Sequence, residues 1–166
     1  MLVVADSSPL NVLVVLGYVE ILPKLFQTVV IPTQVANELS HRRTPITVRN
    51  FIAVPPSWLQ IRVPLNVERI STLDPGEEAA ISLACEISAD LLLIDDKDGR
   101  MAAVQRHLTV IGTIGILERA AQRGFVDLKQ AIDRVRRTDF RVSDELLNQT
   151  LQHHLGRSNP GKPESE

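Results

Sequence analysis

Leu91-Leu92-Leu93-Ile94-Asp95-Asp96 is the stretch whose reading decides the fold: four apolar residues in a row, then two acids. A short apolar run without alternation reads as a strand buried on both faces, the habit of strands inside a parallel sheet. Just upstream, Asp74-Pro75-Gly76-Glu77 starts a helix, with acids favouring its first turn and Ala80, Ile81, Ala84 and Ile87 recurring at helical spacing. Downstream, the pattern predicts a helix from Asp98 to His107, a strand from Thr109 to Ile111 and a helix from Thr113 to Gln122, with Gly124 as its stop. Toward the N-terminus, Leu2-Val3-Val4-Ala5 is a strand that stops at Asp6-Ser7-Ser8-Pro9, where Ser8 can cap a helix running toward Gly17. A second helix passes through Ile21, Leu22, Leu25 and Phe26. Strand Val29 to Ile31 ends at Pro32, and a helix from Thr33 to Ser40 follows with Val35 and Leu39 on one face. Thr44 to Val54 carries no decisive pattern; after Pro55-Pro56, Trp58 to Val63 reads as another short strand. Strands alternate with helices throughout. The expected fold is a three-layer α/β/α sandwich on a mainly parallel central sheet.

The chain of 166 residues, 44% apolar, has room for one domain of ordinary size. That domain is expected over residues 1–155, including C-terminal helices marked by Leu128, Ile132, Val135, Leu146, Leu147 and Leu151; residues 156–166 read as a disordered tail. A single cysteine, Cys85, excludes an internal disulfide and a Cys-based zinc site, and its apolar surroundings suggest a small core residue. A formal net charge of −2 argues against affinity resting on bulk positive charge, so any nucleic-acid contact has to come from a local patch. No apolar run approaches the roughly 18 residues of a membrane span, and no secretory leader precedes the first strand. A soluble, cytoplasmic protein is expected.

In open α/β sheets the site lies beyond the carboxyl ends of the strands. Asp6 follows the first apolar run, and Asp95 and Asp96 follow Leu91 to Ile94, so these acids are expected to converge. Glu38, in the helix after Val29 to Ile31, and Glu77, in the first turn of the helix leading to Asp95, face the same rim. Such a crowd is costly: one pair of carboxylates about 4 Å apart at an effective dielectric near 20 repels by roughly 4 kcal/mol. Either some acids are protonated or a divalent cation sits among them. The cation is the reading carried forward. Oxygen-only ligands suit Mg²⁺ or Mn²⁺, and the four histidines, His41, His107, His153 and His154, form no compact zinc cluster.

Five segments carry a family resemblance: Asp6-Ser7-Ser8-Pro9-Leu10, Ile31-Pro32 with Val35-Ala36-Asn37-Glu38-Leu39, Gly76-Glu77-Glu78-Ala79-Ala80-Ile81-Ser82-Leu83-Ala84, Leu92-Leu93-Ile94-Asp95-Asp96 with Gly99-Arg100, and Gly112-Thr113-Ile114-Gly115-Ile116-Leu117. In this order they resemble the PIN-domain nucleases, in particular the prokaryotic subgroup related to VapC-type toxins. The resemblance implies a PIN-like sandwich and a Mg²⁺- or Mn²⁺-dependent endoribonuclease. Asp6, Glu38, Glu77 and Asp96 match its acidic metal-binding and catalytic positions, Ser8 a supporting hydroxyl, and Asp98 a further acid of the wider superfamily. The subgroup often has a second Glu where this chain has Ala79, and the Asp95-Asp96 pair leaves two assignments for the inward carboxylate. Asp96 is taken as the ligand and Asp95 as supporting. Arg42 and Arg43 beyond Glu38, with Lys97 and Arg100 beside the last acids, are placed to hold RNA phosphates on either side of a cut. The resemblance further implies an antitoxin protein inserted across the acidic groove, and a homodimer through helices in the apolar stretch Val12 to Leu25.

Each signal has a plainer reading. Asp6 can simply end a strand, Glu38 can be a solvated helix face, and Glu77 or Glu78 can serve the helix N-terminus alone. Glu77 and Glu78 lie about 100° apart around a helix, so at most one enters the site. Arg134, Arg136 and Arg137 read as a solvated face, and Trp58 as packed under a loop. The conjunction of acids at strand ends outweighs these readings. The rival functions are a catalytically inactive PIN-like protein-binding module and an aspartate-based phosphatase or receiver domain. The phosphatase lacks its second aspartate two residues after Asp6, and a receiver would need a lone phospho-acceptor after a third strand.

Overall fold

The structure, a computed structural model, describes residues 1–158. Their contacts divide into two compact units, residues 1–113 and 114 onward. The first holds five strands, β1 (Val3–Ala5), β2 (Val29–Pro32), β3 (Leu59–Arg62), β4 (Leu91–Leu93) and β5 (Val110–Ile111). They form one sheet in the order β3-β2-β1-β4-β5, with every neighbouring pair parallel. Val4 pairs with Val30 on one side and Leu92 on the other, which makes β1 the central strand. Successive strand residues point to opposite faces. Val3, Val4 and Ala5 are all fully buried, and so are Leu92 and Leu93, so both faces of the sheet are covered, as the unbroken apolar runs predict.

The connections are helical: α1 (Ser7–Leu16), α2 (Ile21–Phe26), α3 (Thr33–Leu39), α4 (Ile46–Ala53), α5 (Pro75–Glu86) and α6 (Lys97–Gln105). Gly17 ends α1 in the left-handed region at φ 77°, a conformation glycine adopts without steric cost. α4 fills the segment that carried no decisive pattern. It buries only Val48 and Ile52, one pair at i and i+4, too little repetition for periodicity to register. α6 begins at Lys97, a residue earlier than expected, because Asp96 caps it. Cys85 corrects another expectation: it is exposed, at the penultimate position of α5, past the buried run that closes with Leu83 and Ala84. Trp58 is half-buried, its ring 6.0 Å from that of Phe51.

The second unit holds most of α7 (Thr113–Gln122), with α8 (Leu128–Arg136) and α9 (Asp144–Ser158). α8 is strongly amphipathic, burying Leu128, Ala131, Ile132 and Val135 and capped by Asp127 on the Gln130 amide. Arg134 to Arg137 fall at its end, where cations favour the helix dipole. α9 runs three residues past the expected start of the tail; the rest of that stretch, 159–166, lies outside the described residues. Among the described residues no helix is long and apolar enough to cross a membrane.

Because Leu92 is fully buried between two parallel neighbours, Leu92→Ala should cost about 2–5 kcal/mol. Urea unfolding should show a lower midpoint with an unchanged slope; a midpoint within error of the parent would contradict this placement of the core.

Candidate active site

β1 and β4 are neighbours whose chains wind away in opposite directions, and ligands of open α/β sheets bind at such a switch point. Asp6 and Asp95-Asp96 stand at its carboxyl edge. The Asp6 amide donates to the Leu93 carbonyl at 2.9 Å, which fixes the two strand ends together. Asp6 is the N-cap residue of α1, yet its side chain makes no capping bond. It is 3% exposed, and its Oδ1 is buried without a hydrogen-bond partner.

α3 and α5 bring further acids to Asp6. Glu38 accepts the Gly76 amide on Oε1 at 2.9 Å, and its carboxyl is also hydrogen-bonded to Ser7 and Asp74. A Cβ at position 76 would land on the Glu38 carboxylate, so a side chain there would push Glu38 aside, and glycine permits the close approach. Asp74 and Glu77 form a reciprocal capping box: the Glu77 amide donates to Asp74 Oδ1 at 2.8 Å, and the Asp74 amide to Glu77 Oε2 at 3.1 Å. Glu78, next in sequence, is also buried but accepts the Ile70 amide at 2.9 Å, so Glu77 is the one that joins the cluster.

The acids perturb one another as their crowding requires. Burial pushes Asp6 up to about 8, with Asp74, Glu77 and Glu38 adding to the rise and the Ser7 amide opposing it. Burial also lifts Glu77 to about 7, reinforced by Asp74, Asp96 and Glu38. Glu38 is raised by burial, then by Asp74, against the Ser7 and Gly76 hydrogen bonds. Asp6, Glu38 and Glu77 are thus brought into one electrostatic group with Asp74, and Asp96 acts on it through Glu77.

The other expected site residues fare differently. Asp96 is exposed and caps α6 through the Gly99 amide at 2.9 Å. Asp95 is engaged by Ser8 and Thr113. Asp98 stands exposed in the first turn of α6. Arg42, Arg43 and Lys97 are exposed, whereas Arg100 is half-buried and donates to the Ile94 carbonyl at 3.2 Å. Sequence reasoning missed Asp74, Ser7 and Thr113. Asp74 was visible only as a helix start, and the two hydroxyls only as helix-terminal residues.

Among the described residues, no group of three or more His, Cys, Asp or Glu side chains is arranged so that it could hold a metal ion as it stands. The chemistry of the donors nonetheless fits a hard divalent cation: all are carboxylate oxygens, and Asp6 Oδ1 is left open for a proton or a cation.

Residues 2–155 match a family model described as a PIN domain. The structure is similar to a PilT N-terminus domain protein from the hyperthermophilic archaeon Sulfolobus solfataricus P2, with a TM-score of 0.53 and 18% identity over 72% of this chain and 93% of that one. No curated protein matches the sequence.

Two predictions follow from the cluster. Asp6, Glu38 and Glu77 bind protons more tightly folded than unfolded, so their contribution to stability is full below about pH 4 and is lost as pH rises through 7–8. Metal-free protein should therefore unfold at lower urea at pH 8.5 than at pH 5, by a few kcal/mol from Asp6 alone, and Asp6→Asn should flatten the difference. A midpoint independent of pH in the parent would show that Asp6 is not the buried carboxyl described. Separately, Gly76→Ala should displace Glu38; raised exchange of the residue-76 amide, with α5 otherwise protected, would report it, and unchanged exchange would deny the contact.

Proposed function

The chain belongs to the PIN-domain family, whose members are generally nucleases, and on that premise we propose that it is a metal-dependent endoribonuclease hydrolysing phosphodiester bonds of single-stranded or structured RNA. The observation that carries the reading is the buried Asp6 carboxylate, one oxygen unpartnered, among Glu38, Asp74 and Glu77. Asp6, Glu38, Glu77 and Asp96 would hold Mg²⁺ or Mn²⁺. When bound, such an ion lowers the pKa of a coordinated water and offsets charge on the scissile phosphate.

The chain's own residues supply the rest. Glu77 keeps Oε2 on the Asp74 amide, which leaves Oε1 as its donor oxygen toward the cation or toward a water the cation would hold. Glu38 is held by Ser7 and by the Gly76 amide on Oε1, which leaves Oε2 as its donor oxygen toward the cation. Arg42, Arg43 and Lys97 are exposed and would contact phosphates flanking the cut; Arg100 would do the same with one nitrogen kept on the Ile94 carbonyl. With aromatics only 4% of the chain, base stacking contributes little, and substrate choice rests on backbone contacts and RNA shape. As a toxin of a toxin–antitoxin pair, the protein would be silenced by an antitoxin whose Arg enters the same acidic pocket. A homodimer would place two such pockets on one particle.

Purified protein incubated with a mixed RNA pool should cut in Mg²⁺ or Mn²⁺ and not in EDTA. Asp6→Asn and Asp96→Asn should each lower the rate by about 100-fold or more. No cutting, together with no metal binding by calorimetry, would overturn the nuclease reading in favour of a protein-binding module.

A further inference from the structure

We propose that Asp95 is a positioning residue and not a ligand: its carboxylate ties the first turn of α1 and Thr113 to the end of β4, and so restrains the two chain segments that carry Asp6 and Asp96. The inference rests on the metal-dependent reading above and goes beyond it by dividing the adjacent acids into two roles.

The accounting of acceptors comes first. A carboxylate offers two oxygens with about four lone-pair positions. Asp95 Oδ1 accepts the Thr113 amide at 2.7 Å, and Oδ2 accepts the Ser8 hydroxyl at 3.0 Å and the Thr113 hydroxyl at 2.8 Å. Thr113 is fully buried, so its two donors have no solvent to turn to. Packing closes the side toward Gly112, where a Cβ would stand 2.9 Å from Asp95 Oδ1 and 2.8 Å from an Arg100 nitrogen. Both oxygens of Asp95 are therefore committed to the protein. Asp96, by contrast, is exposed, accepts the Gly99 amide on Oδ2, and has its charge felt by Glu77.

The connectivity then shows what Asp95 holds. Asp6 donates its amide to the Leu93 carbonyl, and Ser8, two residues on, donates its hydroxyl to Asp95, two residues past Leu93. These two bonds close a ring through Asp6-Ser7-Ser8 and Leu93-Ile94-Asp95 across the ends of the central strand and its neighbour. One ligand candidate, Asp6, lies in the ring, and the other, Asp96, follows it directly. Thr113 pins the same carboxylate from the end of β5, which restrains the ring against rotation.

Mn²⁺ affinity of the full chain, read by the spectroscopic signal of the free ion, tests this without recourse to cleavage. Asp96→Asn should lose more than about 100-fold in affinity. Asp95→Asn should stay within about 3-fold of the parent, because its amide oxygen can keep the Thr113 N–H while its NH₂ turns to the Ser8 and Thr113 hydroxyls, which accept as well as donate. Asp95→Ala and the double variant Ser8→Ala/Thr113→Val should each lose about 10–100-fold, and combining all three should add little further, as residues acting through one network do. If Asp95→Asn falls as far as Asp96→Asn, Asp95 is a ligand and the inference is wrong. It is equally wrong if Asp95→Ala folds and binds like the parent. Absence of Mn²⁺ binding by the parent would instead overturn the nuclease reading, and this inference with it.

Discussion

A carboxylate buried at the end of the central strand is the constraint on which the rest of the structure turns. β1 has both faces covered and both edges paired, so the residue that follows it enters the sheet's carboxyl edge with little freedom. Its amide is held by Leu93, and its Oδ1 has no partner. Burying an ionised carboxylate without compensation costs several kcal/mol, a large share of the roughly 5–15 kcal/mol by which a domain is stable. Asp6 therefore has two ways to persist: it binds a proton, as its shift to about 8 records, or it meets a cation. The sequence forgoes a further kcal/mol or so by giving an N-cap aspartate no capping bond. A residue selected for helix capping alone would not be placed this way.

The start of α5 carries the acids that surround Asp6. A helix N-terminus has amides without intrahelical partners and the positive end of the dipole. Here those amides are spent on carboxylates. Gly76 donates to Glu38 and Glu77 to Asp74, while the Asp74 amide donates back to Glu77. Each bond favours the ionised form of an acid that burial and its neighbours drive toward the neutral form, and the balance leaves Glu77 near 7. Glu78 marks the limit of the arrangement, because about 100° of helix rotation sends it to the Ile70 amide and out of the cluster.

How much of this was legible in the sequence depends on which physical signal each residue leaves. Strand runs such as Leu91 to Ile94 have few alternatives, so the parallel sheet and the acids at its carboxyl edge followed directly. Glu38 and Glu77 followed from their helices' positions relative to those strands. Asp74 did not, because an aspartate before Pro-Gly-Glu is fully explained as a cap, and only the fold shows the cap lying against Glu38. Cys85 was misread because an apolar neighbourhood in sequence does not specify a helix face. The Asp95-Asp96 pair was undecidable for a related reason: two adjacent acids at a strand end point apart, and the partners that single out Asp95 lie at positions 8 and 113, far from it along the chain.

The consecutive serines at the start of α1 show how tightly the sheet order and the site are linked. Ser7 hydrogen-bonds Glu38, which arrives from the β2 side of the central strand; Ser8 hydrogen-bonds Asp95, which arrives from the β4 side. Successive helical residues diverge by about 100°, so two hydroxyls in one turn can reach opposite flanks of the residue that precedes them. That residue is Asp6. The first turn of α1 thus braces the central acid against both neighbouring strands at once, and it can do so only while β1 lies between β2 and β4. A β1 at the sheet's edge would offer one flank and leave one hydroxyl idle. The carboxylate cluster is therefore a consequence of strand order as much as of the acids themselves, since the same five acids on a sheet wound differently would not meet.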